Sequence, residues 1–118
     1  MPRAPWRCPV CALPLPQAAT CGQCLRSPPA FDATWAAYDY RFPLDRLVQR
    51  FKGGGDLALG RWLAERLASA VEDAERPDLL VPAPLGRARL RARRVNQALQ
   101  LARGVGSARP VPLDLGAV

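Results

Sequence analysis

Two Cys-x-x-Cys pairs near the N-terminus constrain this chain more than any other feature. They are Cys8-Pro9-Val10-Cys11 and Cys21-Gly22-Gln23-Cys24, with nine residues between them. Two residues between thiols let one tight turn present both sulfurs to a single ion, and a second such turn completes a tetrahedral shell. The chain contains no histidine, so Cys8, Cys11, Cys21 and Cys24 are the only full ligand set for a zinc ion. With four protein thiolates no open position remains for a catalytic water, which makes the expected Zn2+ structural. About thirty residues have almost no core of their own, so metal and fold are coupled in such a module. An iron–sulfur or redox centre and a pair of disulfides are the competing readings.

The absence of histidine also excludes Ser-His-Asp and Cys-His nucleophile pairs and H-E-x-x-H zinc proteases. The N-terminus lacks the apolar core of a signal peptide. No window reaches the roughly 18–20 consecutive apolar residues of a membrane span. These features lead us to expect a cytoplasmic protein without a membrane span, where clustered cysteines hold metal more often than they form disulfides. The 17 basic residues against 10 acidic ones give a net charge of +7. All of the basic residues but Lys52 are arginine, the side chain that grips phosphate through paired N–H groups. That excess leans toward anionic partners.

Composition separates three regions: a cysteine- and proline-rich segment at 1–30, a mostly helical one at 31–76, and 77–118, which reads as strand, loop, helix and then a second strand. Thr34 to Arg41 is aromatic and alternating, the pattern of a strand or hairpin arm. Pro43 precedes Leu44, Leu47, Val48 and Phe51 at helical spacing, and Gly53-Gly54-Gly55 ends that helix. Asp56 is the expected N-cap of the next one, whose apolar stripe runs from Leu57 to Ala74 before Arg76-Pro77 stops it. Asp78-Leu79-Leu80-Val81-Pro82 reads as a strand buried on both faces. Val95, Leu99, Leu101 and Ala102 then mark a helix ending near Gly104-Val105-Gly106, and Arg109 to Leu113 forms the next strand.

Two segments bear on ligands. Phe51-Lys52-Gly53-Gly54-Gly55-Asp56 is glycine-rich but lacks the Gly-Lys-Ser/Thr of a P-loop; it is either a plain helix-to-helix turn or a place where Lys52 meets phosphate. Between Arg87 and Arg94 stand five arginines, in the loop joining the 78–82 strand to the following helix. A strand feeding such a loop presents backbone N–H groups to phosphate; the competing reading is a solvated basic helix face.

Taken in order, the doubled Cys-x-x-Cys, Tyr38 to Pro43, Leu47…Phe51-Lys52…Gly55, Val81-Pro82-Ala83-Pro84-Leu85 and Arg93-Arg94-Val95-Asn96-Gln97-Ala98 resemble the ComF family. These are bacterial proteins of the competence and gluconate-utilisation type, with a zinc ribbon and a phosphoribosyltransferase domain. The family usually reads Arg-Gly-Phe-Asn-Gln where this chain has Arg93 to Gln97. The resemblance implies an α/β chain: a four-cysteine zinc ribbon at 1–30, a helical segment, and at 31–118 the incomplete start of a phosphoribosyltransferase-type, Rossmann-like domain. It implies phosphate or pyrophosphate contacts at Arg89, Arg93, Asn96 and Gln97, to which the glycine-rich segment adds Lys52 as a candidate. Phosphoribosyl pyrophosphate, or a nucleotide, with Mg2+ would be the ligand where the full-length site exists. The family's paired aspartates and Thr-Thr-Gly ribose-phosphate loop have no counterpart in these 118 residues, so this stretch alone is expected to be inactive as a transferase. The implied setting is DNA uptake in natural transformation, with single-stranded DNA and competence-machinery proteins as partners. The alternative is a zinc-ribbon module that binds single-stranded DNA or a partner protein without transferase chemistry.

Overall fold

The computed structural model describes residues 2–54, 56–83 and 97–114. The chain divides into two compact units, Met1–Asp45 and Arg46–Val118.

The first unit is built around a two-stranded antiparallel hairpin. Strand β1 (Trp6–Arg7) pairs with β2 (Pro14–Leu15) in the register Trp6 to Leu15 and Arg7 to Pro14. The reversal between them carries the first cysteine pair and is closed by Ala12 N–H donating to Cys8 O at 2.8 Å and Cys8 N–H donating to Leu13 O at 2.9 Å. Ala12 stands at φ 67°, in the left-handed region, which costs a residue with a Cβ about 1–2 kcal/mol. The second pair opens a short helix, α1 (Gly22–Arg26), with Cys21 as its N-cap.

Residues 34–41 form no strand, against the expectation from their alternation. Their backbone is instead tied to the cysteine segment at separate points: Thr34 N–H donates to Pro9 O at 3.2 Å and Asp39 N–H to Pro2 O at 2.9 Å. Strand pairing needs a continuous ladder, and these single bonds lie five residues apart along the segment. Aromatic alternation here supplies side chains to a surface, not a pleat.

In the second unit, helix α2 (Leu44–Gly54), whose first two residues fall in the first unit, follows the predicted apolar spacing and ends within the glycine run; Phe51 is its deepest residue, 2% exposed. Asp56 caps α3 (Leu57–Ala70), its carboxylate accepting from Leu59 N–H at 3.0 Å. The helix stops at Ala70, short of the predicted Ala74, and its end is held from a distance. Arg109 donates from Nη1 to Val71 O at 2.6 Å and from Nη2 to Ala74 O at 2.9 Å. A guanidinium placed there binds the turn that follows α3, in which Ala74 N–H also donates to Val71 O at 3.0 Å, and meets the negative end of the helix dipole.

Helix α4 (Gln97–Ala108) packs on α3. It runs through Gly104 and Gly106, where the sequence pattern predicts an end. The reason is spatial: a Cβ on Gly104 would lie 2.5 Å from the Ala64 Cβ, and one on Gly60 would lie 2.6 Å from Gln100 Nε2 and 2.9 Å from Phe51 Cε1. These glycines permit close helix approach, and packing outweighs their poor helix propensity. Beyond α4 the chain returns beside Leu80 in a single parallel bridge, Leu80 to Leu113. Leu80 N–H donates to Pro112 O at 2.8 Å, and Asp114 N–H to Leu80 O at 2.9 Å. The two predicted strand segments therefore meet, in the parallel sense, at this one bridge. Burial on both faces does not follow, however: Leu79 is 46% and Val81 58% exposed, because one bridge cannot cover two faces.

The close helix approach and the distant cap each have a measurable consequence for stability. Gly104→Ala should destabilise the second unit by about 1–3 kcal/mol, since the added methyl overpacks a contact that has no slack. Arg109→Met should cost about 1.5–3 kcal/mol through the loss of two hydrogen bonds from a charged donor. Both are measured by denaturant unfolding against the parent chain.

Candidate metal centre

The Sγ atoms of Cys8, Cys11, Cys21 and Cys24 all lie within 4.8 Å of one another. No disulfide joins them. Tetrahedral zinc with Zn–S bonds of about 2.3 Å sets its sulfurs about 3.8 Å apart; the Cys11 and Cys21 sulfurs are separated by 3.6 Å. The donor set and spacing thus fit a structural metal such as zinc.

Each knuckle positions its sulfurs by backbone turns. Cys21 N–H points at Cys8 Sγ, 3.4 Å away, and Cys24 N–H at Cys21 Sγ, 3.5 Å away. Such N–H groups stabilise negative sulfur. The Cys21 N–H lowers the Cys8 thiol to about 6, against the opposing effect of burial. Burial pushes Cys24 up to about 12, and the neighbouring thiols add to the rise. One sulfur is thus predisposed to charge while another resists it until a cation arrives.

The outer side of the first knuckle is held by groups that the sequence pattern does not single out. Thr34 Oγ1 donates to Val10 O at 2.7 Å, and Arg7 Nη1 donates to Ala12 O at 2.7 Å. Arg7 is itself paired with Asp39, which Arg41 also approaches at 3.6 Å. The carbonyls of Pro9, Val10 and Ala12 are therefore all engaged by Thr34 or Arg7, which braces the turn. Thirty-two residues separate Arg7 from Asp39, and no local pattern announces the pair.

Arg89, Arg93 and Asn96 lie outside the described residues. Lys52 is exposed in the last turn of α2, and Gln97, the first residue of α4, is 5% exposed. The structure brings these two together: Gln97 Nε2 donates to Lys52 O at 3.3 Å. Among the described residues no helix is long and apolar enough to cross a membrane.

A four-cysteine metal module followed by mostly helical segments is the class that this arrangement defines. Comparison with known proteins is more specific: over 84 residues the chain is 38% identical to competence protein F of Haemophilus influenzae. The match covers 66% of this chain and 37% of that protein, so the chain spans little more than a third of its relative. It shows the ComF resemblance read from the sequence. No family model matches the chain, and no solved structure does.

Metal binding to thiols displaces protons. Because Cys24 carries its proton at neutral pH and must lose it to ligate, metal affinity should rise from about pH 6 to about pH 8. Competition with a chromophoric chelator measures this, and a flat profile would count against thiolate ligation.

Proposed function

We propose that this chain is the zinc ribbon and first strand–loop–helix of a ComF-type protein, with structural Zn2+ on Cys8, Cys11, Cys21 and Cys24. On this reading the second unit belongs to an α/β phosphoribosyltransferase-type domain of a cytoplasmic protein that serves DNA uptake. The observation that carries it is the match to competence protein F, joined to the parallel bridge of Leu80 and Leu113 across α4. That connection is the repeating step of a parallel α/β sheet. The exposed Leu79 and Val81 have the composition of a strand that further strands and helices cover.

The proposed chemistry of the site is charge stabilisation. Type I phosphoribosyl transfer releases a pyrophosphate that Mg2+ and cationic groups hold, and it needs no covalent nucleophile, so a chain without histidine is no obstacle. Arg89, Arg93, Asn96, Gln97 and Lys52 are the residues assigned to the pyrophosphate side. The ribose-phosphate loop is not among these 118 residues, so ligand binding, rather than turnover, is the property to test in this stretch.

A second reading is favoured by one feature of the first unit. Trp6, Phe31, Trp35, Tyr40 and Phe42 are all 49–70% exposed there, and Arg3 stacks over the Tyr38 ring at 5.7 Å. Aromatic side chains beside arginine suit either stacked bases or a protein partner.

Protein purified without chelator should contain one zinc per chain. It should bind phosphoribosyl pyrophosphate only with Mg2+, and Arg93→Ala should weaken that binding about tenfold, the effect of losing one charge-assisted hydrogen bond. Calorimetry reads both the binding and its loss. Indifference to the ligand, together with an affinity for single-stranded DNA that falls steeply with salt, would instead select the binding-module reading.

A further inference from the structure

The four cysteines of the cluster are not equally shielded. Cys8, Cys21 and Cys24 are buried, whereas Cys11 is partly exposed. Cys11 also lines a cleft of about 830 Å3 in the first unit, together with Arg3, Pro14, Ala36, Tyr38 and Tyr40. A small solute therefore reaches the cluster at Cys11 first. Beside that sulfur, 3.6 Å away on the other knuckle, lies the Cys21 Sγ. Cys8 is wholly enclosed, and its Sγ faces the Cys21 N–H. The backbone on both sides of Cys11 is held without help from an ion, since the Val10 carbonyl accepts from Thr34 and the Ala12 carbonyl from Arg7. The position of Cys11 against Cys21 thus does not depend on the ion alone.

We propose that Cys11 is an oxidation site, and that Cys11 and Cys21 form a redox switch on the metal centre with hydrogen peroxide as the oxidant. This rests on the zinc reading above. The Cys11 thiolate attacks one peroxide oxygen, the O–O bond breaks, and with one proton the products are a sulfenic acid and water. The Cys21 thiolate then attacks the Cys11 sulfur. The S–S bond forms as the S–O bond breaks, and a second proton carries the departing hydroxide away as water. Two thiolates give up two electrons in all, and one peroxide is reduced to two waters. Cys8 and Cys24 alone are too few to complete a tetrahedral shell, so the metal is lost. The new bond ties together the same two knuckles that the ion ties, which keeps the chain path in place for reduction and reloading.

The test treats the zinc-loaded full chain with hydrogen peroxide in the presence of a chromophoric chelator. Zinc release should keep pace with disulfide formation. Thiols left after oxidation are blocked with one alkylating reagent, and those freed by later reduction with a second. Fragmentation of the tryptic peptide 8–26, which holds all the cysteines, then assigns each label. Cys8 and Cys24 should carry the first label, and Cys11 and Cys21 the second. A thiol reductant with added zinc should restore the metal content. Ala36→Trp places a large ring in the cleft without replacing a ligand. It should hold zinc as the parent does and lose it to peroxide about tenfold more slowly, since thiol oxidation depends on access. A disulfide within either knuckle, zinc retained throughout, release that reduction does not reverse, or equal rates in Ala36→Trp would overturn the proposal. A parent chain that carries no zinc would overturn the zinc reading, and the switch with it.

Discussion

Convergence of four sulfurs is the constraint on which the first unit depends. Its buried cluster consists of Cys8, Cys21 and Cys24, with Val10, Cys11 and Leu15 packed around them. That is too little apolar surface to offset the entropy of ordering some forty residues. The hairpin has two residues per strand and α1 five, and neither element is stable alone. What makes them persist is that each ends in a cysteine turn aimed at the same point. Thr34 and Arg7 belong to this logic from outside, since by holding the carbonyl side of the first knuckle they keep its N–H side turned to sulfur.

A different economy governs the second unit, where small residues set the distance between helices. Gly60, Ala64 and Gly104 let α3 and α4 approach until a single methyl would collide. Close approach makes up in contact what the glycines lose in side chain. In the same unit Gln97 of α4 meets the Lys52 carbonyl near the end of α2.

How much of this is legible in the sequence depends on the range of the interaction responsible. The cysteine ligand set, the Asp56 cap and the periodicity of α2 and α3 are local patterns, and each appears where its residues predict. Gly104 reads wrongly as a helix end because a glycine that terminates a helix and one that admits a neighbouring helix look alike until the neighbour is known. Residues 34–41 read wrongly as a strand for a related reason. Alternation records two environments on two faces, and here the environments are the cysteine turn and solvent, not two sides of a sheet. The Arg7–Asp39 pair and the Arg109 cap on α3 join residues more than thirty positions apart, beyond any local pattern.

The net charge of +7 gains meaning from the division of the chain. Residues 1–45 carry Arg3, Arg7, Arg26 and Arg41 against Asp32, Asp39 and Asp45, a net of +1, which leaves +6 for residues 46–118. Four thiolates on a divalent ion contribute −2, so the metal-bound first unit would be slightly negative. Arg7 is moreover committed to Asp39. Counterion release scales with the number of cations set against phosphates, and this unit has few to offer. An affinity for DNA or phosphate in this protein would have to originate in the second unit, where the arginine run and Lys52 reside.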